Sequence, residues 1–450
     1  MIEVIVNRPS FEYDIHSLVK SFFPREDVQI HVQDTFTEDT ALRISVEFTD
    51  ETVSICLMEQ GEEKESGASV INYAERKETK NRLKRQLYQL LCAYTGQTLP
   101  WGTLTGIRPA KIAMGLIEQG MSNVETAEYM RNTYLASKEK VALSVMIANR
   151  ERYVLRNIDY KDGYSLYVGI PFCPSICLYC SFSSYPLERW RKRVDQYLDA
   201  LCKELDYVAD RFRDKKLNTV YIGGGTPTTL EPYQLDRLLT RIQRKFDTEH
   251  LQEFTVEAGR PDSITREKLQ VLLDHGIDRI SINPQTMNQK TLEIIGRRHT
   301  VDQVKEAFTL ARSMGFAHIN MDLIVGLPGE SYDDVEHTMK ELEAMAPDSV
   351  TVHSLAIKRA ARLSLFKDKY EEMGLENNMQ IMDMTARYCA EMGLSPYYLY
   401  RQKNMAGNFE NVGYAQPEKA GIYNILIMEE KQTIVACGAG ASTKRVWNEQ

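Results

Sequence analysis

From residue 164 onward, short apolar segments alternate with longer helical segments, and this alternation strongly constrains the fold of the 450-residue chain. Such alternation predicts parallel strands that are joined by right-handed helical crossovers. The predicted strands are 165–169, 219–222, 253–256, 279–282, 319–323 and 349–352. Six such units predict an α/β domain that is built as a partial, open (β/α)6 barrel.

Three cysteines follow the first predicted strand with Cys-x3-Cys-x2-Cys spacing, at Cys173, Cys177 and Cys180. Three thiolates can bind three irons of a [4Fe–4S] cluster and leave the fourth iron open, whereas an electron-transfer cluster usually takes four thiolates. A structural zinc site would need a second cysteine pair or histidines nearby, and the sequence has none there. The spacing therefore favours a cluster with one open position over zinc.

Further polar or glycine residues lie at the ends of other predicted strands, where the active sites of α/β barrels are found. Glycines 223–225 end the second strand, and glycine lets a ligand approach the backbone closely. The other strand-end candidates are Glu257, Gln285 and Asp322. Their shared position predicts one site at the carboxyl edge of the sheet.

The chain before residue 164 has a different pattern. Apolar alternation predicts strands at 1–7, 28–32, 41–49 and 52–59, and helical spacing predicts helices at 11–23 and 78–94. The charged segment 61–69 is predicted as a gap in this pattern. The predicted organisation is an α+β N-terminal domain (1–98), a helical connector (99–158), the barrel (164–360) and a C-terminal substrate-side extension (361–450).

Composition excludes some classes of function. The net charge of −8 gives no basic field of the kind that binds nucleic acid. The sequence contains neither an apolar run long enough to span a membrane nor a signal peptide, so we expect a cytoplasmic protein without a membrane span. In that reducing compartment, five scattered cysteines are expected to be reduced core thiols, namely Cys56, Cys92, Cys202, Cys389 and Cys437.

In these motifs the chain resembles the radical S-adenosylmethionine (SAM) superfamily. Within it, the chain resembles the oxygen-independent coproporphyrinogen III oxidase (coproporphyrinogen dehydrogenase) family, HemZ-type branch. The segments that carry the resemblance are YVGIPFCPSICLYCSF, YIGGGTPTTL, VEAGRPDSIT, RISINPQTMN and NMDLIVGLPGE. Two further segments are distinctive for the branch, WGTLTGIRPAKI and YLYRQKNMAGNFENVGYA. The resemblance therefore covers nearly the whole chain.

The resemblance implies two cofactors, a [4Fe–4S] cluster on the three cysteines and SAM. The implied SAM contacts are Tyr167, Tyr179, Gly224, Gly225, Thr226, Glu257, Gln285, Arg297, Asp322 and Ala356. Chemistry agrees with two of these roles, because a carboxylate such as Glu257 can accept from ribose hydroxyls and Arg297 can pair with the methionine carboxylate.

The implied reaction is a radical decarboxylation of two propionates of coproporphyrinogen III to vinyl groups. The implied partners are a tetrapyrrole substrate, a reductant such as flavodoxin or ferredoxin, and an electron acceptor, and the protein is expected to be a monomer. Cations that could bind the propionates are Arg108, Lys111, Arg260, Arg401 and Lys403. A tyrosine cluster at 397, 398 and 400 could line a tetrapyrrole face or pack in the core.

Two departures from the family pattern bear on the reaction. Phe182 stands where some oxidases carry a fourth cysteine, and Gly169 stands where they carry a histidine. Alternative functions are therefore a heme-binding chaperone of the same family, or another radical SAM enzyme that methylates or opens a tetrapyrrole. His318 and His353 lie on predicted barrel strands, where they could face the cavity, but core positions are the favoured interpretation for both. Because family members usually continue past the segment VACGAGAS, we expect the C-terminal domain to be incomplete.

Overall fold

The computed structural model describes residues 1–33, 41–106, 108–356, 361–365, 372–401 and 409–447. The chain divides into two compact units, Met1–Met146 and Ile147–Gln450. The finer division into four segments stays a prediction.

A five-stranded sheet forms the centre of the first unit. Its strands are β1 (Ile2–Val6), β2 (Val28–Val32), β3 (Leu42–Phe48), β4 (Thr52–Glu59) and β5 (Glu62–Val70). Their order is β2-β1-β3-β4-β5, with β1 parallel to both of its neighbours and the β3–β4–β5 pairs antiparallel. Every second residue of β3 is buried, as expected for a strand with one face on a core.

Helices cover this sheet and lead into the second unit. They are α1 (Glu12–Phe22), α2 (Arg76–Thr95), α3 (Pro109–Glu118), α4 (Asn123–Tyr134) and α5 (Lys138–Leu155). Ile15 and Leu18 of α1 join Leu83 and Leu87 of α2 in one apolar core with the strands. The helical spacing of these residues explains why each helix buries a single face.

The strand β5 corrects the sequence-based expectation of a gap at 61–69. Gln60 and Gly61 both adopt positive φ, 53° and 83°, which suits the two-residue turn of a tight hairpin. This turn pairs β5 with β4 over its whole length. Pairing with β4 therefore holds this charged segment as a strand, although its composition alone disfavours a strand.

A nine-stranded sheet organises the second unit. Its parallel strands include β6 (Gly163–Ile170), which is followed by two short strands outside this sheet, β7 (Phe172–Cys173) and β8 (Tyr185–Pro186). The sheet continues through β9 (Lys216–Gly224), β10 (Glu253–Glu257), β11 (Arg279–Ser281), β12 (His318–Val325), β13 (Ser349–Ser354), β14 (Ser395–Tyr400), β15 (Asn411–Ala415) and β16 (Thr433–Cys437).

The order of the large sheet is β14-β15-β13-β12-β11-β10-β9-β6-β16. Strands β6 and β9 to β13 pair in parallel with their neighbours in chain order, and they coincide with the six predicted strands. Among the described strands, β14 and β16 form the two edges, so the sheet is open. The prediction of an α/β fold with a partial (β/α)6 barrel is confirmed.

Helices separate the strands of the second unit. They are α6 (Leu187–Trp190), α7 (Val194–Arg211), α8 (Pro232–Lys245), α9 (Arg266–Asp274), α10 (Gln289–Ile294), α11 (Val301–Met314), α12 (Tyr332–Met345), α13 (Arg362–Leu365), α14 (Met379–Glu391) and α15 (Ile422–Glu429). Helix α8 shows why they pack on the sheet, since its buried residues Leu235, Leu238 and Ile242 recur at helical spacing. In the described part of the chain, no helix has both the length and the apolar character needed to cross a bilayer.

Three strands beyond the six predicted ones extend the sheet. Strands β14 and β15 add antiparallel to β13, and β16 lies parallel to β6 at the other edge. Residues after 360 thus belong to the same sheet as the parallel strands. These strands escaped prediction because segments of five or six residues are too short to show a periodicity that distinguishes a strand from a helix.

Candidate cofactor site

A cavity of about 270 Å3 lies at the carboxyl ends of the parallel strands. The three cysteines of the loop after β6 and the glycines at the end of β9 line it together. Its remaining walls come from the ends of β10, β12 and β13 and from the segments that follow β10 and β11. The lining includes Tyr179, Phe182, Thr226, Glu257, Arg260, Asn283, Gln285, Arg297, Asp322, His353, Ala356, Tyr400 and Asn411.

The cysteine loop is held in place mainly by its backbone. The Leu178 amide donates to the Ile295 carbonyl at 2.9 Å, and the Cys180 amide donates to the Cys177 carbonyl at 3.2 Å. The Ser175 hydroxyl donates to the Gly296 carbonyl at 3.0 Å. The loop that precedes α11 therefore clamps the cysteines from one side.

The three thiols of the loop lie around one cavity. Within the described ranges, no three His, Cys, Asp or Glu side chains lie close enough together to hold one ion. The three thiols nevertheless line one cavity, as expected where each thiolate binds a different iron. Burial raises the pKa of Cys173 to about 11 and also raises that of Cys180, so binding of iron must displace these protons.

The glycine segment after β9 packs directly on the backbone that leads to the cysteines. The Gly225 amide donates to the Ile170 carbonyl and the Thr226 amide to the Phe172 carbonyl, both at 2.7 Å. A Cβ atom on Gly225 would lie 2.6 Å from the Phe172 oxygen. Glycine is therefore required at position 225 by the close approach of two backbones.

Glu257, at the end of β10, is a buried carboxyl with a defined partner. The hydroxyl of Tyr221 donates to its Oε1 at 2.5 Å. Burial raises the pKa of Glu257 to about 7 even though this hydrogen bond lowers it, and the nearby Asp322 adds to the rise. The carboxyl can therefore change its charge near neutral pH.

Asp322, on β12, has the opposite electrostatic environment. Burial alone would raise the pKa of Asp322, but the neighbouring His353 and the hydrogen bond from Asn320 lower it. The Asn320 amide donates to Asp322 Oδ1 at 2.7 Å, and His353 Nε2 lies 3.7 Å from Oδ2. The hydroxyl of Tyr400 lies 3.4 Å from the other ring nitrogen of His353. Asp322 therefore stays ionised at a pH at which the neighbouring Glu257 is protonated and neutral.

Several buried polar atoms of the cavity wall have no hydrogen-bond partner in the described part of the protein, namely Asn283 Oδ1, Gln285 Oε1 and Arg297 Nε. Gln285 also adopts a positive φ of 67°, which is rare outside glycine. Unpaired buried polar groups and local backbone strain are costly, and both recur at ligand sites. The wall thus offers two acceptors and one donor to a polar ligand.

Arg297 carries the positive charge of this wall. Although burial alone lowers the pKa of an arginine, the neighbouring Tyr179 and Cys177 hold the pKa of Arg297 above its ordinary value. Its Nη1 donates to the Asn283 carbonyl, which fixes the guanidinium against the loop after β11. A cation with an unpaired Nε–H is suited to bind a carboxylate.

All the predicted cluster and SAM contacts line this cavity except Tyr167. The Tyr167 ring lies beneath the glycines, stacked on Tyr221 and Tyr423 with centroid distances of 6.2 and 6.4 Å. Its hydroxyl oxygen would lie 3.4 Å from a Cβ placed on Gly224. The individual roles of these residues stay predictions.

The predicted substrate cations lie in different places. Arg260 lines the cavity but is buried, donates to both oxygens of Asp262, and contacts Ser175 and Cys177 of the cysteine loop. Arg401 is buried, which lowers its pKa to about 10 although Glu410 opposes this shift. Arg108 and Lys111 lie at α3 in the first unit, and Lys403 falls outside the described residues.

The two histidines differ from each other. His318 is a core residue, as expected, with Arg279 Nη1 at 2.7 Å from Nδ1 and the Ser349 hydroxyl at 2.9 Å from Nε2. His353 lines the cavity, which is the alternative to the favoured core position.

Sequence reasoning also missed Asn283 and Asn411 as lining residues. Asn283 could have been predicted, because it lies two residues before Gln285 in the segment that follows β11. Asn411 could not have been predicted, because it lies on β15, a strand that sequence periodicity did not reveal.

Comparison with known proteins agrees with this geometry. A model of the radical SAM superfamily matches residues 167–342. The chain is 44% identical over 372 residues to the oxygen-independent coproporphyrinogen-III oxidase-like protein HemZ of Bacillus subtilis, and the match covers 82% of this chain and 74% of that protein. The chain belongs to the HemZ family of radical SAM proteins. The cofactors of this superfamily are a [4Fe–4S] cluster and SAM.

Relatives of this HemZ-family chain carry different functional names. The heme chaperone HemW of Bacillus subtilis is 38% identical over 195 residues, covering 43% of this chain and 51% of that protein. The oxygen-independent coproporphyrinogen III oxidase of Salmonella typhimurium is 29% identical over 254 residues, covering 56% of this chain and 55% of that protein.

A solved structure supports the fold. The coproporphyrinogen III oxidase HemN from Escherichia coli, a radical SAM enzyme, superposes with a TM-score of 0.50 at 24% identity, covering 64% of this chain and 66% of that chain.

Replacing Gly225 with alanine should damage the junction between β9 and the cysteine loop. The new Cβ would meet the backbone oxygen of Phe172, which cannot rotate away. We expect the free energy of unfolding of the second unit to fall by about 1–3 kcal/mol in a urea titration. The control is Gly115→Ala, because no atom lies within 4 Å of a Cβ at that helical position. An unchanged urea midpoint in Gly225→Ala would contradict the close approach.

The stability of the protein should depend on the charge of Glu257. In the folded state its pKa is about 7, compared with 4.5 ordinarily, so folding takes up a proton between these values. Stability should therefore fall as the pH rises from about 4.5 to 7, by on the order of 3 kcal/mol at most.

Glu257→Gln should remove this part of the pH dependence, because the amide does not titrate. Urea titrations of the unreconstituted protein at several pH values measure it, and the exposed Glu306→Gln serves as the control. If wild type and Glu257→Gln keep parallel pH profiles, Glu257 has no raised pKa in the folded protein.

Proposed function

We propose that this protein is a radical SAM enzyme that converts propionate side chains of coproporphyrinogen III to vinyl groups. The observation that carries the proposal is the single cavity that joins three thiols, a glycine segment and unpaired buried polar atoms. A HemZ-family relative named as oxidase-like supports the choice of reaction.

In this proposal, Cys173, Cys177 and Cys180 hold three irons of the cluster. Gly224, Gly225 and Thr226 shape the wall that receives the methionine amino group, and Arg297 pairs with the methionine carboxylate. When bound, the cluster and SAM together supply a 5′-deoxyadenosyl radical, which can take a hydrogen atom from the substrate.

The carboxylates of the cavity orient the nucleoside. Glu257 accepts hydrogen bonds from the ribose hydroxyls when it is ionised, and Tyr221 fixes the direction of its oxygens through the 2.5 Å hydrogen bond. Asp322, which His353 and Asn320 hold as a carboxylate, offers a second acceptor to the same ligand. Tyr179 and the backbone of Ala356 contribute to the adenine side of the cavity.

Each conversion of a propionate to a vinyl group removes one hydrogen atom, one carbon dioxide molecule and one electron from the substrate. The electron must leave to an acceptor outside this chain. No protein base is needed, because the hydrogen leaves as an atom and the carboxylate leaves as carbon dioxide. The protein residues therefore bind, orient and exclude water rather than transfer protons.

Cations are needed to bind the substrate propionates. Arg108, Arg260 and Arg401 remain the candidates for this role. The guanidinium of Arg260 also pairs with Asp262 and supports Ser175 and Cys177.

A heme-binding chaperone is the second candidate. The observation that favours it is Phe182, which lines the cavity yet is 76% exposed, at the position where some oxidases carry a cysteine. An exposed aromatic ring beside a cavity can pack on a porphyrin face. The likeness to HemW proteins supports the same candidate.

The test is turnover after anaerobic reconstitution of the cluster. The protein is incubated with SAM, dithionite, coproporphyrinogen III and a cell extract that supplies the acceptor. We expect protoporphyrin, measured by fluorescence after oxidation, together with 5′-deoxyadenosine, measured by chromatography. Cys177→Ala should abolish both products, whereas Cys56→Ala, which changes a cysteine of the first unit, should keep them.

The other outcomes discriminate between the candidates. If 5′-deoxyadenosine forms without protoporphyrin, the radical chemistry stands and this substrate or acceptor is wrong. If neither product forms and hemin binds one-to-one, the chaperone replaces the oxidase.

A further inference from the structure

A cationic and aromatic segment follows the cysteine loop. Four cations lie within residues 189–193, which we call the basic ridge, and they are Arg189, Arg191, Lys192 and Arg193. All four are exposed, and Trp190 among them is half-buried. The whole chain carries a net charge of −8, so the basic ridge is a positive patch on a negatively charged protein.

Backbone pairing connects the basic ridge to the cysteine loop. The short strand β8 pairs in parallel with β7, which places Pro186 opposite Cys173. The Tyr185 amide also donates to the Pro171 carbonyl at 2.7 Å. The ridge begins three residues after this pair, so it is attached closely to the first of the three cysteines.

Aromatic packing orders the same segment. The rings of Tyr185 and Trp190 pack edge to face with centroids 5.5 Å apart, and the guanidinium of Arg193 lies 5.7 Å from the Trp190 ring. Tyr185 is nevertheless 43% exposed, and Phe182, in the same loop, is 76% exposed. The surface beside the cysteines thus combines cations with exposed aromatic rings.

The acidic residues around the ridge only partly offset its charge. Arg191 pairs with Glu231 at 3.4 Å, and both side chains remain largely exposed, so this pair is weak in water. Glu188 is exposed within the same turn, and Asp195 accepts from Tyr233 and Gln234. Arg189, Lys192 and Arg193 keep the surface positive.

We propose that the basic ridge is the docking surface for an acidic one-electron carrier protein of the flavodoxin type, which reduces the cluster bound at the neighbouring cysteines. The inference rests on the proposed cluster site. A carrier with negative charge is repelled by a chain of net charge −8 except where a positive patch faces it, so the patch steers it to one place. One electron passes from the reduced carrier to the oxidised cluster, and no bond or proton is exchanged.

The position of the ridge suits this role because electron transfer requires a short distance between donor and acceptor. A carrier that sits on residues 189–193 also covers Tyr185 and Phe182, and its cofactor edge then approaches the cysteine loop. Charge complementarity supplies the encounter, while the exposed rings supply apolar contact at the centre of the surface.

The test compares two reductants on one variant. Arg189→Glu/Lys192→Glu reverses two charges of the ridge without touching a cavity residue. With photoreduced flavodoxin at low ionic strength, we expect the KM for flavodoxin in 5′-deoxyadenosine formation to rise about tenfold or more. With dithionite, a small reductant that needs no docking surface, the rate should stay equal to that of the wild type.

The matched control is Arg244→Glu/Lys245→Glu, which makes the same change of charge on exposed residues at the end of α8. This helix follows β9 and runs back from the carboxyl edge of the sheet, so its end lies away from the cysteines. The control should keep the wild-type KM for flavodoxin. Equal losses in the two charge-reversed variants would overturn the proposal, because they would reflect net charge alone.

A binding measurement separates this proposal from the proposed function. Fluorescence anisotropy of labelled, oxidised flavodoxin reports docking even if the protein cleaves no SAM. The ridge variant should weaken binding about tenfold relative to the control variant, and added salt should weaken wild-type binding. Equal affinities of wild type and ridge variant would refute the docking surface, whereas absence of SAM cleavage with dithionite in wild type would refute only the proposed function.

Discussion

The candidate site depends on the direct backbone contact between two neighbouring strand ends. The amides of Gly225 and Thr226 donate to the carbonyls of Ile170 and Phe172, so the glycine segment and the chain leading to the cysteines form one rigid junction. Only glycine leaves room for this contact at position 225. The thiols and the polar ends of β10 and β12 line the same cavity as this junction.

Charge is distributed unevenly around that cavity. Burial raises the pKa of Glu257 to about 7, while the neighbouring His353 and the hydrogen bond from Asn320 lower the pKa of Asp322. Arg297 stays a cation because Tyr179 and Cys177 oppose the effect of its burial. Such a wall suits a zwitterionic ligand with hydroxyl groups, since it offers acceptors of different charge and one fixed donor.

Most of the arrangement of the cavity could be predicted from the sequence, because strand–helix alternation determines where strand ends meet. Glu257, Gln285 and Asp322 were predicted as site residues from their positions at strand ends alone. The prediction failed where pairing rather than composition makes a strand, as in β5 of the first unit and β14 to β16 of the second. For His353 the core position was favoured over the cavity, because the face on which a strand residue lies depends on the register of the strand. Asn411 was missed because β15 gave no periodic signal.

The central proposal is that the three cysteines would hold a [4Fe–4S] cluster that binds SAM at its open iron. Electron paramagnetic resonance of the reduced, reconstituted protein, recorded with and without SAM, tests this most directly. The account predicts a spectrum typical of a [4Fe–4S]+ cluster whose g values shift when SAM is added. A cluster signal that SAM leaves unchanged would contradict the claim, because the open iron would then not face the ligand cavity.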